Sequence, residues 1–249
     1  MVVDFPLYGE ACILEVTIWA EGNQKIRLIV EDAEKSETFL TNRTGSVRGL
    51  KTYYVRIPYA PDLALIEVMS ESGSDDLVGI EDIQISNLPT DYSHKHFSNP
   101  ETKSFINFAE EFCHNAGSLE TNKDYFSDDE IFNIVYLDVI EDNGVESKTP
   151  ARISQDKGVI EVSKKDFLRY TMPMRMAILL HEFAHFYLND VMEDEVEADR
   201  NSLMLYLGMG YPRIDAYNVY LDVFENSPSE LNVDRYKALN NLFKSNYNG

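Results

Sequence analysis

The spacing of apolar residues changes once along the chain, after residue 88, and this change limits the folds open to it. Before that point, apolar and polar residues alternate with a period of two in the segments 13–19, 25–30 and 53–57. This period is typical of half-buried β-strands. Turn-forming clusters separate the predicted strands, at 21–23, 44–46, 60–62 and 71–76. Residues 1–88 are therefore predicted to form an all-β sandwich of antiparallel strands.

Beyond residue 100 the pattern becomes mainly helical. Residues 89–100 are polar and lack periodicity, which is typical of a linker. Asn99 and Pro100 then form a helix-start signal. Two strands and five further helices are predicted, the strands at 131–140 and 158–163 and the helices at 164–170, from 173, 194–207, 212–225 and 233–247. Residues 101–249 are thus predicted to form a second, α+β domain in which helices dominate.

Composition excludes some classes of partner. The 249 residues include 43 acidic and 22 basic side chains, which leave a formal charge of −21. This charge repels nucleic acid and anionic membrane surfaces, so we expect no nucleic-acid partner. No apolar run approaches the roughly 20 residues of a membrane span, and no secretory signal pattern begins the sequence. The pattern favours the cytoplasm or a larger particle over secretion.

The helix that begins near residue 173 carries the pattern His-Glu-x-x-His inside an apolar segment, at His181, Glu182 and His185. Residues four apart lie on one helical face, so both imidazoles can bind one zinc ion. Glu182 lies one position round the helix, beside the remaining coordination position. Burying three such polar groups without a ligand is costly. The segment therefore predicts a catalytic zinc site with Glu182 as general base.

A third protein ligand is expected to be acidic, because no histidine follows His185. If residues 189–193 form a tight turn, two antiparallel helices bring Glu195 close to His185 and Asp199 closer to His181. Glu195 is then the predicted third ligand, and Asp199 the acceptor that orients a ligand histidine. Glu197 points elsewhere on that helix and is the alternative ligand.

A His-Glu-x-x-His helix followed by a Glu-x-x-Ala-Asp helix resembles the gluzincin peptidases over about residues 156–210. The minigluzincins, the soluble relatives of the CAAX prenyl protease clan and the IrrE-like peptidases are the most similar kinds. The resemblance implies a zincin-like domain with the same ligands, base and orienting carboxylate. It also implies that the strand Val159–Ser163 is an edge strand that pairs with an extended peptide or protein substrate. The nine residues between His185 and Glu195 are fewer than most of these families use.

Two functions are predicted from these features. The first is a zinc-dependent endopeptidase whose β domain binds a protein partner, positions a substrate or covers the cleft. The alternative is a non-catalytic structural or binding protein, such as an assembly or virion component, that retains a zincin scaffold. The presence of Glu182 favours the enzyme, because a purely structural zinc site needs no base. The donor that stabilises the oxyanion is left open among Tyr206, Tyr211 and Tyr217.

Overall fold

A computed structural model describes residues 1–35, 37–73, 75–154, 156–226 and 229–245. The chain forms two compact units. The first contains Met1–Thr90 together with Gly210–Pro212, and the second contains Asp91–Met209 and the residues from Arg213 onward. The sequence analysis placed the short segment Gly210–Pro212 in the second domain, but it belongs to the first unit.

The first unit is built from antiparallel strands. Its described strands are β1 Val2–Pro6, β2 Cys12–Asp32, β3 Phe39–Ile57, β4 Leu63–Ser70 and β5 Val78–Asn87. The long strand β2 pairs with β3, β4 and β5, while β1 pairs with β4, so the strands belong to one hydrogen-bonded sheet. Alternate side chains of β2 are buried, as the period of two requires. A mostly β N-terminal region is therefore confirmed, and the sandwich arrangement stays a prediction.

Two of the predicted turns lie inside long strands instead. In β2 the register against β3 shifts between Ala20 and Asn23, and Gly22 has a φ of 74°. Gly22 therefore forms part of a β-bulge and not of a chain reversal. Gly45 lies within β3, where a Cβ atom would approach the Tyr53 hydroxyl to 2.6 Å. This second glycine allows a close side-chain contact, so the turns predicted at both positions are wrong.

The second unit combines six described α-helices with short strands. The helices are α1 Pro100–Asn115, α2 Lys164–Phe167, α3 Met172–Tyr187, α4 Glu195–Gly208, α5 Arg213–Asn226 and α6 Glu230–Ser245. The strands are β6 Lys123–Phe126, β7 Asn133–Leu137, β8 Glu141–Asp142, β9 Val145–Glu146, β10 Ala151–Ile153 and β11 Ile160–Ser163. Four strands form a sheet in the order β10-β11-β7-β6. Within the described ranges, no helix has the length and apolar character needed to cross a membrane.

Aromatic packing fixes the orientation of α3. Phe183 stacks on Phe105 of α1, with ring centroids 4.2 Å apart and 9° between the planes. One helical turn later, Tyr187 stacks on Phe183 at 5.0 Å, and Phe132 packs edge-on against both rings. Two positions along a helix correspond to a rotation of about 200°. His181 therefore lies nearly opposite Phe183, on the face of α3 that this aromatic cluster leaves uncovered.

Candidate metal centre

Three nitrogen and oxygen atoms from α3 and α4 meet at one point. The Nε2 atoms of His181 and His185 are 3.1 Å apart. Oε2 of Glu195 lies 3.3 Å from Nε2 of His181 and 3.5 Å from Nε2 of His185. Among the described residues, these three form the group of histidine, cysteine or acidic side chains that can hold a metal ion.

The size of this triangle can be compared with a tetrahedral zinc site. Zinc binds imidazole nitrogen and carboxylate oxygen at about 2.0–2.1 Å, which separates neighbouring ligand atoms by about 3.3–3.4 Å. The three observed separations, 3.1, 3.3 and 3.5 Å, bracket that value. Two imidazoles and one carboxylate also match the ligand types of catalytic zinc. The described residues therefore fit a divalent ion of this kind.

Each histidine is held at its far ring nitrogen, which directs Nε2 toward the triangle. Nδ1 of His185 lies 2.7 Å from the carbonyl oxygen of Met192 and donates a hydrogen bond to it. Nδ1 of His181 lies 3.0 Å from Oδ1 of Asp199 but misses hydrogen-bond alignment, so we regard that contact as an ion pair. Such contacts at Nδ1 direct Nε2 toward the triangle, where it can bind a metal when the ring is neutral. The predicted orienting role of Asp199 agrees with this placement.

The connection between α3 and α4 is short, so the nine residues between His185 and Glu195 are enough to bring Glu195 to the two histidines. Helix α3 ends at Tyr187, and the Asn189 side chain donates to the carbonyl oxygen of Asp194 across the turn. Asp194 then caps α4 by accepting a hydrogen bond of 2.9 Å from the backbone N–H of Glu197. Glu195 is the first residue of α4, so its side chain lies level with the last turns of α3.

Arg235 of α6 joins this centre and was not among the residues predicted from the sequence. Its guanidinium group makes two contacts of 2.8 Å with the carboxylate of Asp199. Nη1 lies 3.0 Å from Oε2 of Glu195. Arg235 and Asp199 are both buried, 7% and 2% exposed. The Arg235 guanidinium group thus positions two carboxylates: that of Asp199, which contacts His181, and that of Glu195, which completes the triangle. No local sequence pattern signals this contact, because 36 residues separate Arg235 from Asp199.

The charges around the triangle shift its pKa values. Burial by itself lowers the pKa of His181, but its contacts with the Asp199 and Glu195 carboxylates outweigh burial and raise that pKa to about 10. Burial raises the pKa of the Glu195 and Asp199 carboxyls, but the histidine and arginine partners outweigh it and lower both. Burial raises the pKa of Glu182. In the metal-free protein, a proton on His181 therefore provides the positive charge that this site favours.

Zinc binding is expected to release the proton of His181 at near-neutral pH. The raised pKa means that His181 holds this proton until the pH approaches about 10, whereas coordination through Nε2 requires the neutral ring. Calorimetric titration with zinc in two buffers of different ionisation heat measures the release. If His181 releases about one proton, the apparent binding heat should differ between the two buffers by about the difference between their ionisation heats. A heat that is the same in both buffers would contradict this protonation state.

Glu182 lies beside the triangle in a cavity of the second unit. The cavity has a volume of about 380 Å³. Its wall includes the three side chains of the triangle, Glu182, part of β10, apolar residues of α3 and α5, and Arg235. A carboxylate on the wall of a cavity, next to side chains that can hold a metal ion, is an arrangement suited to general-base catalysis.

The tyrosines considered from the sequence do not line this cavity. Tyr206 and Tyr211 are buried elsewhere, and the Tyr217 hydroxyl lies 3.4 Å from that of Tyr236. Tyr220 lines the cavity instead, with its ring 6.4 Å from that of His181. The sequence pattern left this choice open because side-chain direction on α5 depends on how that helix packs against α3.

The predicted edge strand Val159–Ser163 is not at the edge of the sheet. Its ordered part, β11, pairs in parallel with β7 on one side and antiparallel with β10 on the other. The edge strand beside the cavity is β10, and all three of its residues line the wall. A three-residue strand is too short to show a period of two, which is why the sequence pattern missed it.

Comparisons with known proteins identify no relative of this chain. The chain matches no family model, no curated protein and no solved structure.

Proposed function

We propose that this protein is a zinc-dependent endopeptidase that uses His181, His185 and Glu195 as metal ligands and Glu182 as general base. The observation that supports the proposal most directly is the triangle of ligand atoms, with separations of 3.1–3.5 Å, in the wall of a cavity that also exposes Glu182. We further propose that the second unit is a zincin-like domain of the gluzincin type. The first unit is proposed to be a β-sandwich with an accessory role.

Glu182 performs the proton transfers in the proposed reaction. A zinc ion in the triangle would polarise the scissile carbonyl and lower the pKa of a water molecule. The Glu182 carboxylate would accept the proton of that water as the water oxygen bonds to the carbonyl carbon, and would return it to the amine nitrogen as the C–N bond breaks. Because burial raises the pKa of Glu182, this side chain is a stronger base than an exposed glutamate.

Two side chains on the cavity wall can donate hydrogen bonds to a developing oxyanion. Tyr220 is buried with its hydroxyl 3.1 Å from Oγ of Ser202, and Arg235 is held in place by Glu195 and Asp199. Both come from helices that pack around the triangle, α5 and α6. Donors fixed before the reaction stabilise charge without reorganisation, which is the main source of electrostatic catalysis.

One side of β10 has no partner strand in the described sheet. Two backbone groups there already have contacts that a paired substrate would replace, since the Thr149 hydroxyl donates to the Ala151 carbonyl oxygen at 2.8 Å and the Ile153 backbone hydrogen-bonds with Glu182. Ser154 N–H donates to the carbonyl oxygen of Val159, and Ser163 N–H donates to that of Pro150. In an antiparallel ladder the residues that bond to the partner strand alternate with residues whose N–H and C=O point away. The backbone groups of Ala151 and Ile153 therefore point away from β11. We propose that an extended substrate pairs with β10 along this side.

The first test is metal content and metal-dependent cleavage. The purified protein is analysed for bound metal by mass spectrometry, and its cleavage of casein and of a peptide library is measured. We expect one zinc per chain and cleavage that a chelator removes and added zinc restores. Bound zinc without cleavage of any peptide would favour the structural alternative, and absence of zinc binding would contradict the proposed peptidase.

The third ligand is tested by a matched pair of substitutions. Glu195→Gln is expected to weaken zinc binding by more than about 100-fold. Removal of an outer hydrogen-bond partner already weakens metal binding by about 10- to 100-fold, and loss of a direct ligand should weaken it more. Glu197→Gln is the control, since Oε2 of Glu197 accepts from the Asp190 backbone N–H and is not part of the triangle. Competition with a fluorescent zinc chelator measures both affinities. Equal losses in the two variants would show that Glu195 is not the ligand.

A further inference from the structure

The positive side chains on the cavity wall are already balanced by neighbouring carboxylates. Arg152 of β10 lies 2.5 Å from Asp142 and 2.7 Å from Glu161. The other lining cation, Arg235, contacts two carboxylates of α4. Neither guanidinium group therefore offers an unbalanced positive charge to a substrate side chain. An anionic side chain entering the cavity would meet no unbalanced cation there.

Negative charge is in excess at the same wall. Six carboxylates and two guanidinium groups line the cavity or contact its lining cations, the carboxylates being Asp142, Glu161, Glu182, Glu193, Glu195 and Asp199. A divalent ion in the triangle would still leave more negative than positive charge. The whole chain has the same sign, with a formal charge of −21. Such a field attracts cationic ligands and repels anionic ones.

Glu193 is the lining carboxylate that is exposed and without an ion-pair partner in the described part of the chain. It lies in the connection between α3 and α4, two residues before Glu195. Its position on the wall brings it close to the metal-binding triangle without making it part of that triangle. A long, flexible cationic side chain is the complement that such an exposed carboxylate can bind.

We propose that the cavity selects peptide substrates that carry a lysine or arginine side chain beside the scissile bond, and that Glu193 binds this side chain. The inference rests on the proposed peptidase function and specifies its substrate class. Glu193 acts in substrate selection and takes no part in the proton transfers assigned to Glu182.

The experiment compares three fluorogenic peptide sets that are identical except for lysine, glutamine or glutamate at the central positions. For the zinc-loaded protein at low ionic strength, kcat/KM is expected to fall from the lysine to the glutamine set, and again to the glutamate set, by about two- to fivefold per step. The lysine preference should shrink as salt is added, because mobile ions screen exposed charges. Equal kcat/KM for the lysine and glutamate sets would overturn the proposal.

Substitutions of Glu193 assign the preference to one residue. Glu193→Gln is expected to lower the lysine-to-glutamate ratio of kcat/KM, and Glu193→Lys to reverse it. The matched control is Glu111→Gln, which removes the same charge from an exposed position on α1 and should leave the ratio unchanged. A ratio that Glu193→Lys leaves at its original value, or that Glu111→Gln shifts equally, would contradict the role of Glu193.

A binding measurement separates this proposal from the peptidase assignment. The same peptides are titrated into the Glu182→Gln protein, and their affinity is measured by fluorescence anisotropy. If no peptide is cleaved by the original protein but lysine peptides bind more tightly in a Glu193-dependent way, charge selection stands and the peptidase assignment fails. If peptides are cleaved and lysine has no advantage in cleavage or binding, the peptidase assignment stands and the charge selection fails.

Discussion

Glu182→Gln is expected to lower kcat/KM for peptide cleavage by about 10²- to 10⁴-fold while leaving one zinc per chain. The amide keeps the size of the side chain but cannot accept the proton of the attacking water. Zinc remains bound because Glu182 is not one of the three side chains in the triangle. Cleavage is measured with a fluorogenic peptide, and zinc by mass spectrometry on the same sample.

Measuring both cleavage and bound zinc distinguishes loss of the base from loss of the metal site. Glu111→Gln on α1 serves as the control for removal of one negative charge, and it should change neither quantity. If Glu182→Gln cleaved at the original rate, Glu182 would not be the base. If it lost zinc together with cleavage, the side chain would have a structural role instead.

Arg235→Met is expected to lower the free energy of unfolding of the metal-free protein by about 3–5 kcal/mol. The substitution keeps an unbranched side chain but removes the cation that contacts Asp199 at 2.8 Å and Glu195 at 3.0 Å. Asp199 is almost completely buried, so its carboxylate loses an ion-pair partner and gains no hydration in return. Urea unfolding followed by circular dichroism, after complete removal of metal, measures the change.

A control on the same helix distinguishes the buried pair from a general effect on α6. Lys237 lies two residues further on, is exposed, and pairs at 2.9 Å with Asp234 within the helix. Lys237→Met should therefore cost less than about 1 kcal/mol, as is usual for surface ion pairs. Similar losses in the two variants would mean that the contacts of Arg235 with α4 do not stabilise the fold.

Zinc should partly restore the stability of the Arg235→Met protein. A divalent ion in the triangle supplies positive charge beside the same two carboxylates, and a ligand that binds only the folded state stabilises it by mass action. The difference between the variant and the original protein should therefore be smaller with saturating zinc than without metal. An equal difference in both conditions would indicate that Arg235 acts independently of the metal centre.

Local geometry explains which parts of the centre can be predicted from the sequence. His181 and His185 share a face because a helix repeats every 3.6 residues, and this holds wherever the helix packs. Glu195 follows from the same logic, since the turn that begins after α3 leaves few ways to place the start of α4. The sequence pattern also indicated a strand region followed by a helical region, which the structure bears out.

Other features depend on contacts between distant residues and were missed or wrong. The strand near residue 160 was predicted as an edge strand, but β10 covers it on the side next to the cavity. Gly22 and Gly45 suggested turns, yet long pairing between β2 and β3 extends through both positions. Glycine permits a turn, a bulge or a close contact, and only the partner strand determines which of these forms.

By itself, the sequence determined that two imidazoles and a glutamate project from one apolar helix and that an acidic helix follows closely. These relations are set by helical periodicity and by a short connection, so they need no knowledge of the rest of the chain. Only the tertiary structure decided that Arg235 holds Glu195 and Asp199, that Tyr220 faces the cavity and that β10 borders it. The physical reason is that these contacts join residues far apart in the chain, and packing of the whole second unit selects them.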